Sequence, residues 1–415
     1  MTRIRALLPM VLLWVTFLAV HAWLSVAVWN GPHTPLNDVS TVYRDWILRG
    51  SLGDGWVGVD LAWVYPTAAL VPMLAAAAAG FAHFSEAWLV LVALLDAIAL
   101  GVIVSGRSRR HLVAGFWWLA YLLALGPIAV GRIDSITVPL AIAGLLVAAR
   151  RPGVAGVLLA LATWIKVWPF ALILAVVIAE KRRIRVLAAA ATTSLAIVLA
   201  AVLGGGNLAG IAGFVGKQTG RGLQLEAPIT TFWLWAEALG APGVSITFDQ
   251  TLLTYQVTGP GSAVAAAATT PIMVLALLLL VALGIVATRR GAPAVILLPP
   301  LALALTTAFI VTNKVGSPQY EAWLAAPVVL GLATLGRRFT APSILTVLIA
   351  GLTQVIYPWQ YDALVMALPW MAVVATLRNV LLVALLVVAA RAIVVAGRPG
   401  ENFGGVGATN ARMEE

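Results

Sequence analysis

Residues 154–179 read VAGVLLALATWIKVWPFALILAVVIA, an almost unbroken apolar run with one lysine and one proline near its centre. The run is long enough for a membrane-spanning helix, which needs about 20 predominantly apolar residues. Lys166 would cost roughly 2.5–3.5 kcal/mol in the middle of such a helix, and Pro169 removes a helical hydrogen bond. Two half-helices that meet near the outer surface would relieve both costs, so the run predicts either one interrupted span or this pair.

Apolar runs recur along the whole chain. Hydrophobic residues make up 62% of the 415 residues and charged residues 10%, and the mean hydropathy of +1.00 excludes a soluble fold. The runs are continuous stretches of Leu, Ala and Val, unlike the alternating segments of an outer-membrane barrel. Helices also satisfy their own backbone hydrogen bonds in lipid. We therefore predict an all-α, polytopic transmembrane bundle of about 10–13 helices, drawn from the runs 6–29, 65–83, 86–105, 112–130, 136–149, 154–179, 186–203, 264–288, 293–311, 321–336, 341–357 and 379–397.

The net charge of +10 is concentrated in short loops, which favours a membrane topology signal over nucleic-acid binding. Such clusters mark cytoplasmic loops by the positive-inside rule. The basic residues are Arg3, Arg5, Arg107, Arg109, Arg110, Arg150, Arg151, the segment 181–185, Arg289, Arg290, Arg337, Arg338, Arg391 and Arg398. The polar segments 30–64, 131–135, 204–263, 312–320 and 358–378, and the surroundings of Lys166, then fall mostly on the opposite, external face.

The number of membrane crossings between residues 64 and 107 is in question. An external loop before it and a cytoplasmic cluster after it require an odd number of crossings, but two apolar runs, 65–83 and 86–105, lie between them. Either 65–83 lies in or re-enters the outer leaflet, or the 107–110 cluster breaks the charge rule. The run 6–29 is too long for the apolar core of a signal peptide, so we expect it to be the first membrane helix, with the N-terminus inside.

The predicted organisation is a single integral membrane domain over residues 1–415. It comprises an N-terminal module 1–203 with a first external loop 30–64, a large external loop 204–263, C-terminal helices 264–397 and a disordered tail 398–415. The absence of cysteine excludes disulfides and thiolate chemistry. The four widely spaced histidines give no support to a zinc motif. We therefore expect no metal and no other cofactor.

Ionisable residues at membrane depth are functional candidates by default, and here they share the external face. They are Asp38, Arg44, Asp45, Arg132, Asp134, Lys166, Arg221, Glu226, Lys314, Glu321, Asp362 and Arg378. Structural explanations stand beside the functional ones. Asn37 or Asp38 could cap a short helix that ends at Gly50. Asp45 is expected to face Arg44, Arg49 or solvent. Arg132 and Asp134 could pair with each other. Lys166 could extend its ammonium group to the membrane interface.

A carboxylate opposite several cations suits two functions. A carboxylate can deprotonate an acceptor hydroxyl, and Arg or Lys can stabilise the charge on a departing phosphate, which together would transfer a group from an anionic lipid. The same cations would suit a transporter or flippase for an anionic substrate. A third alternative is a catalytically silent assembly partner. An inverted repeat would favour transport, and the motifs around Asp38 and Lys166 are not repeated.

Eight sequence landmarks, in order, carry a resemblance that extends from the first loop to near residue 397. The chain resembles the GT-C integral-membrane glycosyltransferases, specifically family 87, the polyprenyl-phosphate-mannose-dependent α-mannosyltransferases of actinobacterial type. The landmarks are NDVSTVYRDWILRG (37–50), YPT (65–67), GRIDSITVPLAIAGLL (131–146), RRPGVAGVLLALATWIKVWP (150–169), RGLQLEA (221–227), NKVGSPQYEAWLAAP (313–327), TQVIYPWQY (353–361) and LRNVLLVAL (377–385).

The resemblance implies an inverting glycosyltransferase of the bacterial plasma membrane with its site on the extracytoplasmic face. The donor would be a polyprenyl-monophosphate sugar, with mannose as the expected sugar, and the acceptor a hydroxyl of a lipid-linked molecule or polysaccharide. The expected partners are these two substrates and membrane lipid, without nucleic acid.

The resemblance gives a role to one residue, and the other candidates come from the charged and polar residues of the external face. Asp38 is the implied catalytic base. Candidates for the donor phosphate are Lys166, Arg132, Lys314, Arg221 and Arg44, and candidates for sugar or acceptor binding are Asp134, Glu226, Gln319, Tyr320 and Tyr65. Asp134 and Glu226 are also candidates for a second base. The sequence departs from the family at Thr67, where a second proline is usual, and at Gln319, where some relatives have histidine. Whether Gln319 acts in catalysis or only in binding is therefore open.

Overall fold

The computed structural model describes residues 2–217 and 221–398, with side chains for 8–216 and 221–398. Residues 399–415 of the predicted tail lie outside this range. The helices are α1 (Thr2–Asn30), α2 (Arg44–Leu52), α3 (Leu70–Ala77), α4 (Phe84–Val104), α5 (Arg109–Leu125), α6 (Asp134–Val147), α7 (Pro152–Ile165), α8 (Phe170–Ala179), α9 (Arg183–Leu203), α10 (Leu208–Lys217), α11 (Thr231–Ala238), α12 (Ser262–Arg289), α13 (Ala294–Val311), α14 (Ala325–Leu335), α15 (Thr340–Gln354), α16 (Tyr361–Val365) and α17 (Pro369–Ala396).

Helical stretches of membrane-spanning length dominate the fold. Within the described residues, eight stretches are long and apolar enough to cross a bilayer: Leu8–Asn30, Phe81–Val104, Arg109–Ala129, Arg183–Leu203, Ser262–Arg289, Ala294–Val311, Pro318–Trp359 and Pro369–Ala396. Shorter apolar helices cover Thr67–Ala77, Asp134–Val147, Pro152–Ile165 and Phe170–Ala179. The stretch Pro318–Trp359 contains both α14 and α15, which are separated by a turn at Gly336 with φ of 58°. The predicted all-α, polytopic bundle is confirmed.

The run 65–83 forms only a short helix. Thr67–Ala77 rises about 16 Å at 1.5 Å per residue, roughly half of the hydrocarbon thickness of a bilayer. The next helical stretch, Phe81–Val104, is 24 residues long and can cross. By length, Phe81–Val104 is the one candidate span in this part of the described chain, which is consistent with the first of the two alternatives.

Residues 154–179 form two half-helices. α7 ends at Ile165, Lys166 is extended with φ of −153° and ψ of 135°, and Pro169 directly precedes α8. The chain breaks where the sequence predicts, because the proline cannot continue the helix. The lysine therefore lies at the junction of two helices instead of inside one.

The first polar loop contains a longer helix than predicted. A π-helical segment, Asp38–Tyr43, runs directly into α2, which ends at Leu52 with Gly53 in the left-handed conformation at φ of 96°. Asn37 does not cap this helix; its Oδ1 accepts a hydrogen bond from Thr41 Oγ1 at 2.7 Å. The alternative of an Asn37 cap is therefore not supported, and the helix ends at Leu52 instead of at Gly50. Asp45 pairs with Arg49 at 2.8 Å, as expected.

A small antiparallel sheet lies in the long polar segment 204–263 and was not predicted. Its strands are β1 (Leu223–Gln224), β2 (Ser245–Asp249) and β3 (Thr254–Thr258), in the order β1-β3-β2. Gln224 faces Gln256 across the β1–β3 pair. The backbone N–H of Gln224 also donates to the backbone carbonyl of Lys314 at 3.0 Å. The sheet therefore attaches this segment to the turn between α13 and α14.

Candidate active site

Two ion pairs bring together four residues from the first loop, the start of α6 and the junction of the half-helices. Arg132 Nε lies 3.2 Å from Asp38 Oδ2, and Lys166 Nζ lies 2.7 Å from Asp134 Oδ2. Lys166 is also within electrostatic range of Asp38 and Arg132. We call these four residues the charge quartet. Arg132 and Asp134 thus pair with different partners and not with each other, and Asp38 forms an ion pair where a helix cap was one alternative.

Arg132 is fixed by several acceptors. Its guanidinium donates to the carbonyls of Pro35 and of Gly131, the latter at 2.9 Å, and to the hydroxyl of Tyr357 at 3.2 Å. Burial would lower the pKa of Arg132, but the Asp38 carboxylate and the Tyr357 hydroxyl raise it above its usual value. Arg132 therefore stays charged. It holds Asp38, whose side chain is 32% exposed, against the rim of the bundle.

Asp134 is buried, with 1% of its side chain exposed. Both of its oxygens have partners, because Oδ1 accepts a hydrogen bond from Trp323 Nε1 at 2.5 Å while Oδ2 contacts Lys166. Trp323 stacks on Trp168 with ring centroids 5.4 Å apart, and Trp168 Nε1 donates to Thr137 Oγ1 at 3.0 Å. Aromatic packing therefore fixes the orientation of the Asp134 carboxylate.

Aromatic rings surround the ammonium group of Lys166. Its Nζ lies 5.0 Å from the ring centre of Tyr320, 5.7 Å from that of Tyr65 and 5.8 Å from that of Trp323. These distances are typical of cation–π contacts. Only 12% of the side chain is exposed, so Lys166 is packed among protein groups. Burial, together with the Asp38 carboxylate, raises the pKa of Tyr65 above its usual 10.0, which keeps its hydroxyl neutral.

Arg221 and Lys314 form a second group of cations. Lys314 is buried, with 8% exposure, and burial lowers its pKa, as does the nearby Arg221 guanidinium. Arg221 is half-buried, and its Nε is shielded from solvent without a hydrogen-bond partner among the described residues. Tyr320 lies within electrostatic range of both Arg221 and Asp134. Tyr320 therefore interacts with both groups of charged residues.

Glu226 belongs to a third buried group. Its side chain is 4% exposed, and its Oε1 accepts a hydrogen bond from Tyr361 at 2.6 Å. Arg378 on α17 donates to the backbone carbonyl of Glu226 and, at 2.8 Å, to Asn379 Oδ1. Burial raises the pKa of Glu226, and the Tyr361 hydroxyl partly offsets this effect. Glu226 Oε2 has no hydrogen-bond partner within the described part of the chain.

Arg44 and Gln319 occupy different positions from these groups. Arg44 is exposed, and its Nε donates to the carbonyl of Phe81 at 3.0 Å. Gln319 is half-buried in the 3-10 turn Pro318–Leu324, next to Tyr320. The sequence analysis missed Tyr357, Tyr361 and Trp323 as contacts of the candidate residues. The sequence contained one signal for Trp323, which follows Tyr320 by three residues. In the structure the two rings stack with centroids 4.2 Å apart.

Comparison with known proteins adds one finding. Residues 63–241 match the family model of glycosyltransferase family 87. This match supports a membrane glycosyltransferase of the GT-C type. No curated protein and no solved structure gave a match.

The family 87 match covers less than half of the chain but much of the candidate site. It includes Tyr65, the Arg132–Asp134 segment, Lys166, Arg221 and Glu226. Asp38 and Lys314 lie outside it and reach the matched residues through the contacts described above. The arrangement offers a partly exposed carboxylate, Asp38, and the buried cations Arg132 and Lys166 close to it.

Proposed function

We propose that the protein transfers a sugar, with mannose as the expected sugar, from a polyprenyl monophosphate to a hydroxyl of a lipid-linked or polysaccharide acceptor. One observation carries the proposal. The Asp38 carboxylate is held by Arg132 at the edge of a group of helix ends that gathers further cations, beside a segment that matches glycosyltransferase family 87. A transporter or flippase is less well supported, because the match is to a glycosyltransferase family.

In the proposed reaction Asp38 is the general base. It accepts the proton of the acceptor hydroxyl as that oxygen forms a bond to the anomeric carbon of the sugar. The bond from the anomeric carbon to the phosphate oxygen breaks, and its electron pair leaves with the polyprenyl phosphate. Attack from the face opposite the phosphate inverts the configuration. Arg132 orients Asp38 through the 3.2 Å ion pair.

Nearby cations would stabilise the leaving phosphate as its charge grows, because fixed charges in a site with little water act strongly on the transition state. The candidates remain Lys166, Arg132, Lys314, Arg221 and Arg44. Since Lys and Arg side chains can neutralise a monophosphate, we expect transfer to continue in the presence of a metal chelator. Asp134, Glu226, Gln319, Tyr320 and Tyr65 are the proposed contacts of the sugar or the acceptor.

We place the protein in a bacterial plasma membrane with this site on the extracytoplasmic face. The basic clusters support this orientation. Arg110 donates to the carbonyl of Thr334 at 2.9 Å, close to Gly336, so the clusters 107–110 and 337–338 lie together at one end of the bundle. The charge quartet lies beyond the other end of α5, near the start of α6. The positive-inside rule assigns the basic end to the cytoplasm.

The variant Asp38→Asn tests the proposal. It should lower the rate of transfer by roughly 10²- to 10⁴-fold, because it removes the base but keeps the shape of the side chain. Arg132 loses its carboxylate partner but retains its contacts with Pro35, Gly131 and Tyr357, so the thermal stability of each variant is measured beside its rate and the rate is compared between folded proteins. The assay combines purified protein, polyprenyl-phosphate-mannose and candidate acceptors. Asp45→Asn is the matched control, because Asp45 pairs with Arg49 on the same helix.

Two results would contradict the proposal. Turnover of Asp38→Asn within a few-fold of the wild type would remove Asp38 from the role of base and direct attention to Asp134. Movement of the lipid-linked sugar across vesicles without transfer to any acceptor would favour the flippase.

A further inference from the structure

A cleft with a volume of about 240 Å³ lies between helices α4, α6 and α7. Its lining includes Leu95 and Val102 of α4, Leu140 and Val147 of α6, and Leu158 of α7. The two residues of α4 are seven positions apart, as are the two of α6, and residues two turns apart share one face of a helix. Each helix therefore presents an apolar face to the cleft.

One end of the cleft lies at the basic end of the bundle. Lys166 and Asp134 form their ion pair at the end of α7 and the start of α6. The cleft reaches the opposite ends of the same helices, where Val147 ends α6 and Arg151 directly precedes α7. Because α7 has 14 residues and rises about 21 Å, Arg151 lies far from the charge quartet.

The lining suits an apolar chain better than water. Among the described residues that line the cleft, Arg151 is the one with a charged side chain. A buried water needs two to four polar partners, whereas an apolar cavity of about 150 Å³ can hold a benzene molecule. Two lining residues, Ile98 and Val154, are 63% and 45% exposed, so the cleft opens on the lateral surface of the bundle. In a membrane this surface faces lipid.

We propose that the cleft binds one anionic phospholipid, with part of an acyl chain between α4, α6 and α7 and the phosphate of the headgroup at Arg151. A guanidinium can bind a phosphate through two parallel hydrogen bonds. Basic pockets between membrane helices at the cytoplasmic side are typical sites for anionic headgroups. This lipid site is separate from the proposed transfer reaction and does not depend on it.

The experiment compares two lipids with the same acyl chains, dioleoyl phosphatidylglycerol, which is anionic, and dioleoyl phosphatidylcholine, which is zwitterionic. Native mass spectrometry of the purified full-length protein in one detergent counts the bound lipids during a titration. The wild type should bind the first phosphatidylglycerol more tightly than phosphatidylcholine. Arg151→Gln should weaken the binding of phosphatidylglycerol by roughly five-fold, the usual contribution of one basic residue near anionic lipid, and should leave that of phosphatidylcholine unchanged.

A second variant tests the acyl-chain part of the site. Val154→Trp places an indole at the cleft and should also weaken the binding of phosphatidylglycerol. Its matched control is Val157→Trp, because Val157 is 38% exposed on the same helix but is outside the lining. Arg182→Gln is the control for charge, since Arg182 is exposed and directly precedes α9. Both controls should bind phosphatidylglycerol as the wild type does.

Thermal unfolding separates lost binding from a folding defect. A lipid that binds the folded protein raises its unfolding midpoint, so phosphatidylglycerol should stabilise the wild type and both controls more than Arg151→Gln or Val154→Trp, each compared with its own midpoint without lipid. Equal affinity of the wild type for the two lipids would overturn the proposal. An equal loss in Arg182→Gln and Arg151→Gln would also overturn it, because the basic end would then attract lipid without a defined site. Wild-type binding by Val154→Trp would exclude the cleft.

Discussion

Removing Lys166 should destabilise the protein. The Lys166–Asp134 distance of 2.7 Å corresponds to a gross attraction of about 6 kcal/mol at an effective dielectric constant of 20. Lys166→Met would leave the buried Asp134 carboxylate with Trp323 Nε1 as its remaining side-chain hydrogen-bond donor among the described residues. Breaking a buried pair in this way costs about 3–5 kcal/mol, because the remaining charge is uncompensated.

A second substitution separates this charge effect from lost packing. Asp134→Asn removes the charge but keeps an oxygen that can accept the hydrogen bond from Trp323. The double variant Lys166→Met/Asp134→Asn should therefore be more stable than the sum of the two single effects predicts. The coupling between the two positions should be about 0.5–3 kcal/mol, the range found for residues in direct contact.

The measurement is the free energy of unfolding of the four proteins in one detergent, or the shift of the unfolding midpoint where unfolding is irreversible. Lys181→Met is the matched control because Lys181 is exposed and lies between α8 and α9. The reasoning fails if Lys166→Met is as stable as the wild type. That result would fit a lysine that reaches the interface, since removing its charge from lipid should then be neutral or mildly stabilising.

Two further predictions concern Glu226 and the orientation in the membrane. Burial raises the pKa of Glu226 above its usual 4.5. Its contribution to stability is therefore present at acidic pH and is lost as the pH rises through the raised pKa. The free energy of unfolding of Glu226→Gln should rise relative to that of the wild type as the pH increases from acidic to neutral. A difference between the two proteins that stays constant with pH would contradict this prediction. For orientation, Ser51→Cys should react with an impermeant thiol reagent in intact spheroplasts and Ser108→Cys only after lysis, since both positions are exposed; external labelling at Ser108 would show that the charge rule fails there.

The sequence predicted the fold class because membrane insertion imposes strong and local rules. A lysine and a proline inside one apolar run predicted the junction between α7 and α8. The short helix Thr67–Ala77 was less predictable, because its composition does not differ from that of a crossing helix, and only the parity of charged loops pointed to it. The sheet of β1, β2 and β3 escaped prediction, since its strands are two to five residues long and lie in a polar segment.

The charged residues of the site could be selected from the sequence, but their partners could not. Lys166 and Asp134 are 32 positions apart, and the alternative of an Arg132–Asp134 pair was equally consistent with the sequence. The aromatic contacts could not be predicted from the sequence for another reason. Tryptophan and tyrosine gather at membrane interfaces, so composition alone did not distinguish Trp323 from a residue of the interfacial belt.

The pairing of charges links the stability of this site to its proposed chemistry. An unpaired charge at membrane depth is costly, and two of the cations offset that cost with carboxylates contributed by other segments, Asp38 for Arg132 and Asp134 for Lys166. Such pairing fixes the carboxylates but leaves those cations less able to attract a substrate anion.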